Sequence, residues 1–288
     1  MKVTRPALRY LGGKWKLAPW IIEHFPKHRV YVEPFGGAAS VLLRKDRAFS
    51  EVYNDLDDEV VNLFRVLRDP AKSSDLIQRI TLTPYARSEY EMAFERIEDD
   101  IERARRMVVR SFMGHGSNAA NINRNTGFRA NLVNNDRALP SLDWSNLPPA
   151  LAQVARRFVG VTIERRPALQ LIDRYDGYGV LIYADPPYLH ETRSGKRKGA
   201  ELYCAYAVEM DDRDHVEMLE RLRRCRAFVV LSGYPSQLYQ HALPDWTMIT
   251  RQTFADGAKH RVEALWLNPL AAAAARQAGV LNEAMVAA

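Results

Sequence analysis

The stretch "RVYVEPFGGAASVLLRKD" (29–46) decides the fold class. "VYVE" is a short β-rich run, Pro34 ends it, and Gly36-Gly37 permit a sharp turn with φ > 0. "SVLLRK" then starts a helix at Ser40, a residue type suited to capping. The next stretch, "EVYNDLDDEVVNLFRVLRD" (51–69), repeats the pattern. A short strand ends in acids, and an amphipathic helix follows with Val60, Val61, Leu63, Phe64 and Leu67 at its apolar positions. Two successive strand–helix units predict a parallel sheet with helices packed on it.

Further along, "VTIER" (161–165) reads as strand and "ALQLIDRY" (168–175) as helix. "GVLIYADPPY" (179–188) is an apolar strand with a proline stop, and "DRDHVEMLERLRRC" (212–225) is a helix capped by Asp212. "AFVVLSGY" (227–234) and "HRVEALWLN" (260–268) are strands, and "AAAAARQ" (271–277) favours helix. Between about 70 and 155 the alternation stops. Residues 88–113 read as charged helix, 114–136 are rich in Asn, Gly and Arg without periodicity, and helical character returns at 150–160. A long aperiodic stretch of that kind is usually functional or disordered. The expectation is one α/β, Rossmann-like, doubly wound sheet interrupted by a mainly helical insert. Residues 1–69 and 156–270 form a discontinuous domain, 70–155 the insert and 271–288 a tail.

The composition agrees with this reading. The chain has 288 residues, 47% hydrophobic and 26% charged, a normal globular balance with ample length for a core. Cys204 and Cys225 form no C-x-x-C pair and read as reduced thiols of a cytoplasmic protein. The first residues, "MKVTRPALRYLGGKWK", lack the apolar core of a signal peptide, and no apolar run is long enough to span a membrane. The net charge of +6 suits a polyanionic partner without requiring one. The histidines lack metal-ligand spacing, so no metal is expected.

Ligands of doubly wound sheets bind at the carboxyl ends of the strands. Three such ends carry chemistry here. "EPFGGA" lets backbone approach a bulky cofactor beside a helix N-terminus; its bland alternative is a plain strand–helix turn. "YNDLD" offers an acid to ribose hydroxyls; its alternative is a helix cap by Asp55 or Asp57. Both in order, about 20 residues apart, point to a nucleoside-bearing cofactor. The G-x-G-x-x-G fingerprint, a complete P-loop and a G-x-S-x-G elbow are all absent.

The third end is "DPPY" (185–188). Two prolines fix φ and remove N–H groups, leaving acceptors in a stiff frame. Asp185 and the Pro186 carbonyl together suit both hydrogens of one exocyclic amino group, and Tyr188 suits stacking on the ring that carries it. Acceptors drawing on those hydrogens favour a more nucleophilic nitrogen, which is aimed electrostatics rather than covalent catalysis. The alternative is a Pro-Pro loop stop with a surface Asp.

"DPPY", "VEPFGGAASVLL" (32–43) and "RYLGGKWKLAPWI" (9–21) resemble, in this order, the motifs of Dam-like DNA adenine N6-methyltransferases. The resemblance continues through "YNDLDDEVVNLFRVLRD", "VTIERRPALQLI", "EMDDRDHVEMLERL" and "VVLSGYPSQLY", to about residue 268, and is weakest over 70–155. It implies an S-adenosylmethionine-dependent methyltransferase sheet with 70–155 as target recognition domain. Tyr10 (where relatives often carry Trp) and Lys14 are then implied to contact the cofactor, as are Glu33, Pro34, Phe35, Gly36, Gly37 and Asp55. Asp185 is implied in both cofactor binding and catalysis, with Pro186 and Tyr188 holding the target base. Pro167 departs from the pattern by standing where an acid is expected.

The implied reaction is direct methyl transfer to N6 of an adenine flipped out of double-stranded DNA. A cytosine N4-methyltransferase and a catalytically idle DNA-binding module are the competing readings. A cognate restriction enzyme is a further partner implied by the class. Asn118, Arg124 and Arg129 of the insert are the favoured DNA contacts, since Asn and Arg suit adenine and guanine edges. Lys196 and Arg197 in "RSGKRKG" suit phosphates, or merely a solvated loop. Arg103, Arg105, Arg106 and Arg110 are weaker candidates, because Glu98, Asp99, Asp100 and Glu102 lie close enough to pair with them.

Overall fold

A computed structural model describes residues 3–130, 139–192, 208–254 and 260–281. The chain begins with α1 (Ala18–Glu23), β1 (Val30–Glu33), α2 (Ser40–Arg44), β2 (Ser50–Asn54) and α3 (Asp58–Arg68). Helices α4 (Pro70–Leu82), α5 (Arg87–Met92), α6 (Asp100–Met113), α7 (Pro140–Ser145) and α8 (Leu147–Phe158) follow. Alternation resumes with β3 (Val161–Glu164), α9 (Ala168–Tyr175), β4 (Val180–Ala184), α10 (Asp212–Arg223) and β5 (Phe228–Gly233). The last elements are α11 (Gln237–Ala242), β6 (Thr247–Phe254), β7 (His260–Leu267) and α12 (Pro269–Gln277).

The strands form one seven-stranded sheet in the order β3-β2-β1-β4-β5-β7-β6. β1 pairs in parallel with β2 and β4, and β4 in parallel with β5. β7 runs antiparallel to both β5 and β6. Parallel strands covered on both faces read as continuous apolar runs, and β4, "VLIYA", is buried along its whole length. The expected α/β sheet is therefore present. β6 had no place in the sequence reading: "TMITRQTF" is an edge strand mixing Thr, Arg and Gln with apolar residues, a weak strand signal.

The chain folds as two compact units. One comprises 1–15, 37–44 and 57–163, the other 16–36, 45–56 and 164–288. The core of the second unit packs Val32, Ile182, Val229 and Leu231 with Leu171, Ile172, Met218, Leu219, Leu222 and Trp266. Burying each such side chain stabilises by about 1.5–3 kcal/mol. In the first unit Phe64 of α3 stacks on Phe158 of α8 with ring centroids 4.4 Å apart. There Arg9 is tied to Ser111 of α6, whose hydroxyl accepts from the Arg9 amide at 2.8 Å and donates to its carbonyl at 3.0 Å.

Local chemistry sets several boundaries. The expected helix over 88–113 is two helices, because Asp99 caps α6 by accepting from the Glu102 amide at 2.6 Å. α8 starts at Leu147, ahead of the expected 150, since Pro148 and Pro149 occupy a first turn that needs no amide donor. The cap of α10 is Asp211 rather than Asp212: Asp211 and Asp214 form a reciprocal capping box. Burial pushes the Cys225 thiol up to about 12, which suits an inert, reduced cysteine. Cys204, the 193–199 run with Lys196 and Arg197, and the tail beyond 281 lie outside the described residues.

Candidate active site

The second unit brings most of the expected cofactor and catalytic residues to adjoining strand ends. Glu33 closes β1 and is buried, as is Pro34 after it. Phe35 packs on the core. The Gly36 amide donates to the Asn54 carbonyl at 2.7 Å, folding the end of β1 back against β2. Only Gly37 of the glycine pair has positive φ, at 45°. Asp55 follows β2 and is half-buried.

Asn54, one residue earlier, had no role in the sequence reading, yet it fastens three strand ends. Its amide group donates to the carbonyls of Pro34 at 2.8 Å and Arg166 at 3.0 Å, while its oxygen accepts from the Arg166 amide at 2.8 Å. Pro167 is the N-cap residue of α9, with no side-chain capping bond. Glu164 is engaged by Arg166 at 3.1 Å.

Asp185 and Pro186 emerge directly from buried β4, Asp185 half-buried and Pro186 buried. Tyr188 is 7% exposed. Its hydroxyl donates to Glu263 Oε2 of β7 at 2.9 Å and lies 3.3 Å from Ser232 Oγ of β5. Tyr234 meets it edge-on at 4.6 Å. Burial first, then the carboxylates of Asp185 and Glu263, push the Tyr188 hydroxyl well above its ordinary range. Burial and Asp185 do the same for Tyr183. Both phenols stay protonated, and that of Tyr188 donates to Glu263.

In the first unit, Lys14 is buried and its ammonium donates to the Gly12 carbonyl at 2.8 Å. The Tyr10 hydroxyl reaches Asp57 Oδ2 at 3.5 Å, and a β-carbon on Gly37 would lie 3.1 Å from the Tyr10 ring. Asp57 is the N-cap of α3 through the Glu59 amide, so the capping alternative falls on Asp57 rather than Asp55. Burial raises the Asp57 carboxyl above the usual carboxylate range, against the hydrogen bonds it accepts from Glu59 and Tyr10.

The described part of the Asn-rich stretch, 114–130 of the same unit, is an ordered loop. Gly114 bridges Phe128, the Arg129 amide donates to the Met113 carbonyl at 2.7 Å, and Ala119 and Ala120 are buried beneath. Tyr90 donates to Asn125 at 2.9 Å and so pins the far side. Asn118 and Arg124 are half-buried on the loop. Arg129 is 20% exposed, with Asp143 3.8 Å away. The α6 arginines are engaged within the protein. Arg103 pairs with Asp58 and Glu59, Arg105 with Glu89 and Glu102, and Arg106 with Glu102. Arg110 is 1% exposed and pairs with Glu59 at 2.9 Å, so it lies in the interior rather than on a solvated face.

Residues 10–253 match the model of the D12 class N6 adenine-specific DNA methyltransferases. The chain belongs to that family. Relatives similar over a shorter stretch include the DNA adenine methylases of Escherichia coli (strain K12) and Salmonella typhi, each 38% identical over 69 residues. That of Serratia marcescens is 34% identical over 68 residues. The similarity spans 24% of this chain and 24–25% of those relatives' lengths.

For a D12-class chain, the seven-stranded sheet is the S-adenosylmethionine-dependent methyltransferase fold. Two members of its strand-end cluster escaped the sequence reading. Asn54 is hidden beside the more conspicuous acid Asp55, though its place at the end of a βα unit was a usable signal. Glu263 lies 75 positions from Tyr188 along the chain, and only the antiparallel turn-back of β7 brings the two together. Among the described residues, no group of His, Cys, Asp and Glu is placed to hold a metal ion, and no helix is long and apolar enough to cross a membrane.

Proposed function

We propose that this chain transfers a methyl group from S-adenosylmethionine to N6 of an adenine in double-stranded DNA. The observation that carries the reading is the stiff Asp185-Pro186 acceptor pair at the end of the fully buried strand β4, in a chain of the D12 class.

The residues present suit the cofactor. Glu33, Asp55 and Asp185 follow or end three neighbouring parallel strands, and carboxylates suit ribose hydroxyls and an α-ammonium group. Gly36 lets the turn after β1 pack tightly on Tyr53 and the Asn54 carbonyl, which leave no room for a side chain. Pro34 and Phe35 complete that turn. Tyr10, Lys14 and Gly37 are assigned to the same cofactor on sequence resemblance alone. Bound S-adenosylmethionine supplies an electrophilic methyl group on a sulfonium centre. Asp185 and the Pro186 carbonyl accept the two N6 hydrogens and hold the amino nitrogen in line. Tyr188 supports the base, which has to leave the duplex to reach this strand end.

The 70–155 module is the target recognition domain in this proposal, with Asn118, Arg124 and Arg129 as its DNA contacts. Lys196 and Arg197 are assigned to phosphates from their sequence alone. A cytoplasmic location follows from the substrate. A cognate restriction enzyme is compatible with the family.

The deciding experiment incubates the full chain with duplex DNA and methyl-labelled donor, then digests the DNA to nucleosides. Label in N6-methyl-2′-deoxyadenosine is expected. Label in N4-methyl-2′-deoxycytidine, or tight duplex binding with no transfer, overturns the proposal in favour of the cytosine enzyme or the idle module.

A further inference from the structure

We propose that Glu263 is the positioning residue for Tyr188, fixing the aromatic ring of the DPPY segment from its far end. The inference rests on the function proposed above, in which Tyr188 supports the target base.

A tyrosine ring anchored only at its backbone end swings about χ1. Pro186 and Pro187 stiffen that end. At the other end the Tyr188 hydroxyl donates to Glu263 Oε2 at 2.9 Å, and Ser232 Oγ, 3.3 Å away, is placed to donate back to the phenolic oxygen. A ring held at both ends keeps one freedom, rotation about its own long axis. Tyr234, edge-on at 4.6 Å with a 76° interplanar angle, restrains that rotation. The Tyr234 hydroxyl is itself held by Arg261 Nη1 at 2.6 Å.

Charge supports the same arrangement. Burial and nearby carboxylates keep Tyr188 protonated, so its hydroxyl remains the donor. A charged acceptor makes a shorter, stronger bond than a neutral one. The paired prolines and β7, remote in sequence, thereby determine one ring plane between them.

The test uses the full chain as wild type, Y188F, E263Q and the double variant. In the free protein, tyrosine labelled with carbon-13 at Cζ is followed by NMR, and the Tyr188 signal is the one absent from Y188F. E263Q is expected to move that signal. Each single substitution is expected to slow single-turnover methyl transfer about tenfold, the scale of one lost charge-assisted hydrogen bond. The double variant should be no slower than the slower single, because Glu263 acts through the hydroxyl. An unmoved signal in E263Q, a double variant slowed by the product of the singles, or wild-type transfer by Y188F overturns the proposal. Absence of transfer by the wild type overturns the proposed function instead, and the NMR signal still decides whether Glu263 holds Tyr188.

Discussion

A β-carbon on Gly36 would lie 2.2 Å from Cε2 of Tyr53 and 2.9 Å from the Asn54 carbonyl oxygen. The glycine is therefore required for space, where the end of β1 folds back on β2, and not for positive φ. Tyr53 is fully buried and cannot withdraw cheaply. Gly36→Ala is expected to lower stability by about 2–4 kcal/mol through overpacking. Gly37→Ala meets the Tyr10 ring at 3.1 Å and a φ of 45°, and is expected to cost less, about 1–2 kcal/mol. Urea denaturation of both variants measures the difference. A Gly37 variant less stable than the Gly36 variant contradicts the packing argument.

Asn54 makes three hydrogen bonds, to Pro34 and Arg166, and is 1% exposed. Asn54→Ala leaves two carbonyls and an amide without this partner, an expected loss of about 2–4 kcal/mol. Asn54→Asp keeps the volume but turns an oxygen toward two carbonyl oxygens. It should be at least as damaging near neutral pH and recover in part on acidification. Thermal unfolding at pH 7 and pH 5 checks this. An aspartate variant as stable as wild type at pH 7 removes Asn54 from the account.

These two residues mark what was legible in the sequence. The βα units, the Gly-Gly turn and the DPPY stub announce themselves through local periodicity and turn chemistry, and the structure places each at a strand end. Asn54 reaches Arg166 across 112 positions, with its place at the end of a βα unit as a faint local signal, and Glu263 reaches Tyr188 across 75 positions with no local pattern to report it. The α6 arginines were legible in part. The acids beside them in sequence predict pairing, and Glu102 takes up Arg105 and Arg106. The partners from α3 and α5, Glu59 and Glu89, and the sealing of Arg110 in the interior depend on packing between helices, which no local pattern reports.

In the proposed function Asp185 acts on the chemistry and contributes little to the core, being half-buried beyond the end of β4. Asp185→Ala should lower methyl transfer by about 10²–10³-fold or more, the scale of losing one aimed electrostatic contact. Asp185→Asn should fall as far, because an amide rotamer can present a donor where an acceptor is needed. Fluorescence anisotropy with cognate duplex should change by less than about threefold for either variant. Binding that weakens in step with transfer would make Asp185 a structural residue.

The Glu102 carboxylate, 15% exposed, accepts from Arg105 at 2.8 and 2.7 Å and from Arg106 at 2.9 Å. Burial alone would raise its pKa, but these hydrogen bonds outweigh it and the carboxyl titrates below its ordinary range. A depressed folded-state pKa contributes stability that is fully present above the unfolded value and is lost as pH falls through the folded one. Glu102→Gln should therefore cost about 1–2 kcal/mol at pH 7, the scale of hydrogen bonds to a charged group. The gap from wild type should narrow once pH drops below about 4, near the unfolded glutamate value. Urea titrations at pH 7, 5 and 3.5 follow it. A gap that stays constant over that range would mean the side chain stabilises α6 by packing, with no contribution from its charge.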